Sequence, residues 1–308
     1  MLVPLLLLFA QQPPQRAADL AASGWRHYEK GQLAEAERDL AEAARLAPSN
    51  APIALALGQA MLAAGKQKLA IPHLERASRG LGNPPDVRFT LAQAHQAVDD
   101  DTRALQVLMA EPPAGPLREP WLFSRGFSLF RLGRLDSAEN TFRRLLKNPE
   151  MAAPAAFFLA NCAYARGKYA DSLPLYRQAI ATGDIPGNRA ANAYHHNHGL
   201  ALFQLRRFEE GAEAFQKSIE RYPLDAMPFL FLGRCRAELG STSLAIEALE
   251  KAIALEPSFR LAYYQLARLH TQSGDKQRAE ELFQKVAALR DADLAKEEDI
   301  ARRLKVGR

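Results

Sequence analysis

Two cysteines in 308 residues, Cys162 and Cys235, are too few for a disulfide framework. Long apolar runs are missing: the opening MLVPLLLLFA is only ten residues, far short of a bilayer span. No Walker loop, dinucleotide glycine fingerprint, HExxH or nucleophile elbow occurs, which removes the commonest signs of nucleotide, metallohydrolase and acyl-transfer chemistry. Charge of one sign is also lacking. Forty Lys and Arg face 35 Asp and Glu, intermixed, and the net +5 gives no nucleic-acid footprint. Val and Ile are sparse, whereas alanine fills 56 positions, a bias toward helix over strand.

What the chain does have is an internal repeat. YEKGQLAEAERDLAEAARLAPSN (28–50) and AELGSTSLAIEALEKAIALEPSF (237–259) share Gly, then Ala five, twelve and Pro seventeen residues on. The frame recurs every 34 residues through blocks 17–50, 51–84, 85–118, 119–152, 153–186, 192–225, 226–259 and 260–293, with one insertion at 187–191. The eighth place is always small (Gly24, Gly58, Ala92, Gly126, Ala160, Gly199, Gly233, Ala267), and so is the twentieth. The twenty-fourth is large: Leu40, Leu74, Leu108, Phe142, Tyr176, Phe215, Leu249, Phe283. Small residues let two antiparallel helices approach closely, and Gly31, Gly65, Gly133, Gly167, Gly240 and Gly274 stand where a left-handed turn would end the first helix. A hairpin with one apolar side must stack on its neighbours.

This pattern resembles the tetratricopeptide repeat, a helix–turn–helix unit of 34 residues. The resemblance covers 17–293 and implies an all-α, right-handed solenoid of about eight repeats. Three departures stand out: Asp99 and Arg206 replace the turn glycine, and EPPAGP (111–116) stands where the sixth helix should end, which predicts a short helix and a bend or mobility there. Residues 294–308 read as a capping helix with a basic tail, 11–16 as a polar linker, and 1–10 as a candidate signal peptide. The last implies a secreted or periplasmic protein. The opposing features, no preceding Lys or Arg and a large Leu8, leave a cytoplasmic protein as the alternative.

In the family, the second, fifth, ninth, twelfth and thirteenth places of each first helix line the concave face. Carried over, these places hold an aromatic lane, densest in repeats four and five, with Phe123, Phe127, Phe130, Phe157, Asn161, Tyr164, His196 and Phe203 as the expected partner contacts. Charged groups at these places are few: Glu29, Asp86, Arg131, Arg234, Glu238 and Arg268. The family's carboxylate clamp needs several Lys, Arg and Asn; here Asn161 alone matches in type. An exposed apolar groove marks a protein-binding surface, and aromatic anchors carry much of the energy of such contacts. The opposing explanation is that these rings pack against the next repeat and only edge the groove.

The expected function is therefore a non-enzymatic scaffold that binds a protein or peptide partner, with no cofactor, no nucleic acid and no membrane span. Two alternatives stay open. One is a structural subunit of an envelope complex, such as export or pilus-type machinery, working through convex faces or ends. The other is a metal site in AYHHNHGLALFQ, where His195 and His198 are three apart on one helix face. Against it, the helix offers only Asn192 and Asn197 as further ligands, and the places of His195 and His198 normally pack between helices. His27, His95 and His270 share the eleventh place, which makes them architectural, and both cysteines read as small buried hydrophobes.

Overall fold

The computed structural model describes residues 13–306 apart from residue 186, with the backbone alone from 294 onward. The candidate signal peptide lies outside the described residues. Among those described, all regular structure is helical, and the chain divides into two compact units, Met1–Met151 and Ala152–Arg308. The boundary falls one residue before the end of the fourth repeat block.

Unit 1 contains four hairpins: α1 (Gln15–Glu29) with α2 (Leu33–Leu46), α3 (Ala51–Ala63) with α4 (Gln67–Gly80), α5 (Pro85–Ala97) with α6 (Asp101–Leu108), and α7 (Arg118–Arg131) with α8 (Leu135–Leu145). Unit 2 repeats the plan with α9 (Ala152–Ala165) and α10 (Tyr169–Gly183), α11 (Ala190–Gln204) and α12 (Phe208–Arg221), α13 (Ala226–Glu238) and α14 (Thr242–Leu255), and α15 (Arg260–Gln272) and α16 (Lys276–Val306). Within each unit every helix packs on the next in sequence, and each first helix also meets the first helix of the following hairpin. First helices therefore share one side of each unit. Two boundaries differ from the sequence expectation. The first helix starts at Gln15, inside the expected linker, and residues 294–306 prolong α16 without a break instead of forming a separate helix.

The eighth and twenty-fourth places meet inside the hairpin. A Cβ placed on Gly199 would lie 2.8 Å from Phe215 Cε1, and one on Gly126 would lie 2.8 Å from Phe142 Cε1. Gly24, Gly58 and Gly233 stand in the same way against Leu40, Leu74 and Leu249. The large partners are fully buried, so the missing side chain on one helix makes room for the ring or branch on the other.

All six expected turn glycines have positive φ, between 71° and 86°. Asp99 and Arg206 take the same conformation at 62° and 58°. The turn is thus set by the hairpin and not by the residue, at a cost of about 1–2 kcal/mol for a side chain held there. Arg206 gains little in return: its guanidinium lies 5.5 Å from the Phe208 ring and 3.9 Å from exposed Glu238. Arg206→Gly is expected to stabilise the protein by about 1 kcal/mol. A raised midpoint in urea would show it; an unchanged or lowered midpoint would contradict the strain.

The sixth helix is short, as EPPAGP predicts: α6 has eight residues. Its end is tied down, however. Trp121 Nε1 and Arg125 Nε both donate to Leu108 O, at 3.1 and 2.8 Å, and Arg125 Nη2 donates to Ala110 O at 2.7 Å. These bonds satisfy carbonyls that a longer helix would have paired internally, and block four keeps the 34-residue phase.

Candidate functional site

The eight expected contact residues fall in both units. In unit 1, α7 carries Phe123, Phe127 and Phe130, each half-buried. Phe123 meets buried Phe142 edge-on, with ring centroids 5.7 Å apart. Phe127 lies under the Arg131 guanidinium at 5.6 Å. That arginine is held by two carboxylates: Nη2 lies 2.6 Å from Asp99 Oδ1 and Nε 2.9 Å from Asp101 Oδ2. Asp101 is buried and also accepts from Ser128 Oγ at 2.9 Å. Gln96 of α5 extends the network by donating to Ser124 O and Ser128 Oγ, both at 2.8 Å.

In unit 2, α9 and α11 carry the other five. Phe157 sits among Tyr194, Phe158 and Tyr176 at 5.0, 5.3 and 6.1 Å. Asn161 Oδ1 accepts from Tyr176 Oη at 2.7 Å and from Asn197 Nδ2 at 2.9 Å, which locks α9, α10 and α11 together. Tyr164 meets Tyr169 edge-on at 5.0 Å, and its hydroxyl accepts from Gln204 at 3.4 Å. Phe203 meets Phe208 and Phe231 edge-on at 5.5 and 5.7 Å, beneath the Arg234 guanidinium at 4.4 Å. Phe157 and Asn161 thus share Tyr176, and His196 and Phe203 share Phe231.

Every one of these side chains is half-buried. Phe123, Phe157, Asn161, Tyr164, His196 and Phe203 pack against neighbouring helices, Phe127 lies under Arg131 of its own helix, and each of the eight keeps a solvent-facing part. The packing expected of these residues is thus present, and it leaves them partly open to solvent.

The histidine cluster is taken up by packing. His195 is buried, and its Nε2 donates to Asp184 Oδ2 at 2.8 Å; Arg221 Nε lies 2.7 Å from Asp184 Oδ1. Asp184 follows α10, so the acidic partner comes from outside the histidine helix. Its carboxyl stays below the ordinary aspartate range: burial works to raise it, but the bonds from His195 and Arg221 outweigh that. Burial, helped by the charge of Arg177, pushes His198 down to about 4, and burial also lowers His196. His196, expected at the groove, is wedged edge-on against Phe215 and Phe231 at 5.5 and 6.0 Å, with Nδ1 buried and unpaired. Among the described residues no three His, Cys, Asp or Glu side chains converge to hold a metal ion.

The eleventh-place histidines each face the residue five positions on, with a hydrogen bond at His27 and a buried, unbonded Nδ1 at His95. His27 Nδ1 lies 2.7 Å from Gln32 Oε1, His95 Nδ1 lies 3.7 Å from Asp100 Oδ2 and His270 Nδ1 lies 3.3 Å from Asp275 Oδ2. Both cysteines are buried, and burial pushes the Cys235 thiol up to about 12. Among the described residues no helix is long and apolar enough to cross a membrane.

Comparison with known proteins agrees with this geometry. A family model described as tetratricopeptide repeat matches residues 21–84, 124–188 and 196–258, and a second of the same description matches 236–296. No curated protein matches the sequence. Among solved structures, a tetratricopeptide repeat protein from Parabacteroides merdae is 18% identical with TM-score 0.64, over 89% of this chain and 100% of that one. The C-terminal part of a TPR repeat-containing protein from Cytophaga hutchinsonii is 15% identical with TM-score 0.57, over 76% and 95%. A MamA structure is 19% identical with TM-score 0.51, over 57% and 94%. At these identities the structures bear on the fold alone. The repeat models bear on the family and indicate no enzyme class: the chain belongs to the tetratricopeptide repeat family.

Proposed function

We propose that the protein is a non-enzymatic scaffold that grips a segment of a partner protein with the half-buried rings of its first helices. One observation carries this reading. Phe123 in unit 1, and Phe157, Tyr164 and Phe203 in unit 2, are each braced by a ring of a following helix, Phe127 is covered by Arg131, and these rings and Phe130 all stay partly exposed. Rigid aromatic anchors of this kind dominate protein contacts. His196 contributes by fixing Phe231 beside Phe203 more than by touching the partner.

A second reading places the work on the second helices, as in a structural subunit of a larger assembly. Leu69 of α4 and Leu244 of α14 favour it, exposed at 58% and 48% on the second helices. Site-specific photocrosslinking in the native organism separates the two. A benzophenone amino acid at Phe127 or Tyr164 is expected to trap a discrete partner, and the same group at Leu69 or Leu244 is expected to trap none. Crosslinks from Leu69 and Leu244 alone would overturn the first reading in favour of the second.

A further inference from the structure

Unit 2 presents two unpartnered features at one of its edges. First helices of successive hairpins share one side and one direction, so the connections α10–α11, α12–α13 and α14–α15 emerge along the same edge. Large apolar side chains stand in a row there. Ile185, Tyr222 and Leu224 lie in the first two connections, Met227 and Leu261 in the first turns of α13 and α15, and Leu255 at the end of α14. All are exposed, Leu224 at 68% and Ile185 at 59%. The repeat aligns them, since Ile185 and Leu224 hold one place in consecutive blocks, and Met227 and Leu261 another. Among the described residues, the matching connections of unit 1 expose only Met109 of this size and kind. Singly, such side chains need no explanation; a row of them marks a contact surface.

The second feature is α16. It has 31 residues against 13 in α15, on which it packs. After the turn at Gly274, it regains the edge where α15 begins within about one α15 length. Leu289 is the last half-buried residue among those whose side chains are described, and 290–293 are all exposed. The helix nevertheless continues to Val306, so 290–306 project past the row for about 25 Å. A helical stretch of that length is marginal in water without a surface to pack on. It heads away from the row of its own unit and does not lie on it.

A second copy of the chain supplies what each feature lacks. The row spans two hairpin steps, roughly 20 Å, which the projection matches in length. Within the projection Leu294, Ala301 and Leu304 fall at the spacing of one helix face. Charge agrees as well. Arg189 and Arg260, beside the row, are exposed and form no ion pair or hydrogen bond among the described residues, whereas Asp184 and Asp225 are engaged within the fold. The projection brings Glu297, Glu298 and Asp299, then Arg302 and Arg303, for which the row keeps exposed Glu256. We propose that two copies pair about a two-fold axis, the α16 projection of each lying across the apolar row of the other. The contact is isologous: row meets projection and projection meets row. It is independent of the scaffold reading above.

Sedimentation velocity on the full chain is expected to show a concentration-dependent rise from 34.0 kDa to twice that mass. Leu224→Glu with Ile185→Glu, both at exposed side chains, should raise the dimer dissociation constant about tenfold or more without loss of helicity. A chain ending at Asp293 should lose the dimer to the same degree. Mixing the two variants is the sharper test. The first retains its projection and the second its row, so together they should form a heterodimer at concentrations where neither self-associates. A cysteine pair removes misfolding as an explanation, because Cys162 and Cys235 are buried. Leu224→Cys mixed with Leu304→Cys should be joined by a bismaleimide reagent, and Leu69→Cys mixed with Leu304→Cys should not. A monomer at all concentrations, a dimer untouched by either change, or mixed variants that stay apart would overturn the inference. So would a monomer that floats with vesicles of phosphatidylcholine and phosphatidylglycerol and stops doing so on Leu224→Glu, which would assign the row to a membrane.

Discussion

Gly199→Leu is expected to destabilise the protein by roughly 3 kcal/mol or more, enough to broaden or abolish the cooperative unfolding of unit 2. Even the first added carbon would stand 2.8 Å from Phe215 Cε1 and 2.9 Å from Cζ. The ring has no room to retreat: Phe215 is fully buried, stacked on Phe231 at 5.5 Å and edge-on to His196. Against this, leucine gains only about 0.8 kcal/mol over glycine in helix propensity, so overpacking wins. Denaturant titration of the single variant and of Gly199→Leu with Phe215→Ala would measure the coupling. Removing the ring alone should cost about 3–5 kcal/mol, yet in the leucine background it should cost far less, because the leucine fills its space. Additive losses would mean that the two places do not face each other.

The second large effect is expected at Arg131. Asp101 is 3% exposed, and its charge is met by Arg131 Nε at 2.9 Å and one neutral donor, Ser128 Oγ. Arg131→Ala would strand that carboxylate in the interior. Breaking a buried pair costs about 3–5 kcal/mol; the lower end applies here because the Arg131 side chain is 30% exposed and partly screened. Asp101→Asn, which removes the buried charge but keeps the shape, should cost only about 1 kcal/mol. The order of the two urea midpoints at neutral pH is the check. If Asp101→Asn proved the more damaging, Asp101 would not depend on Arg131 for its charge. Because Arg131 also covers Phe127, its loss should loosen that ring as well.

Much of the architecture was legible because a repeat states it many times over. Small residues at one place and large ones sixteen positions later fix which helix faces meet, and the six turn glycines mark where each first helix ends. Even Arg206 could be placed in a turn, since its position in the frame carries the information that its side chain does not. Contacts that cross repeats have no such period. The partner of His195 is Asp184, reached across an irregular insertion that breaks the phase. His196 stands at a place that faces the groove in the family, but Phe231 of the next hairpin closes over it. Whether a ring at such a place packs is decided by its neighbours, as Phe231 decides it for His196.

The central claim is that a partner is held by these braced rings. It is tested most directly by titrating the partner trapped at Phe127 or Tyr164 against the wild type and against Phe127→Ala with Tyr164→Ala, while monitoring helicity. The account predicts that the double variant keeps its helices and loses affinity by about tenfold or more, as expected when two aromatic anchors are truncated. Equal affinity of the variant and the wild type would contradict it.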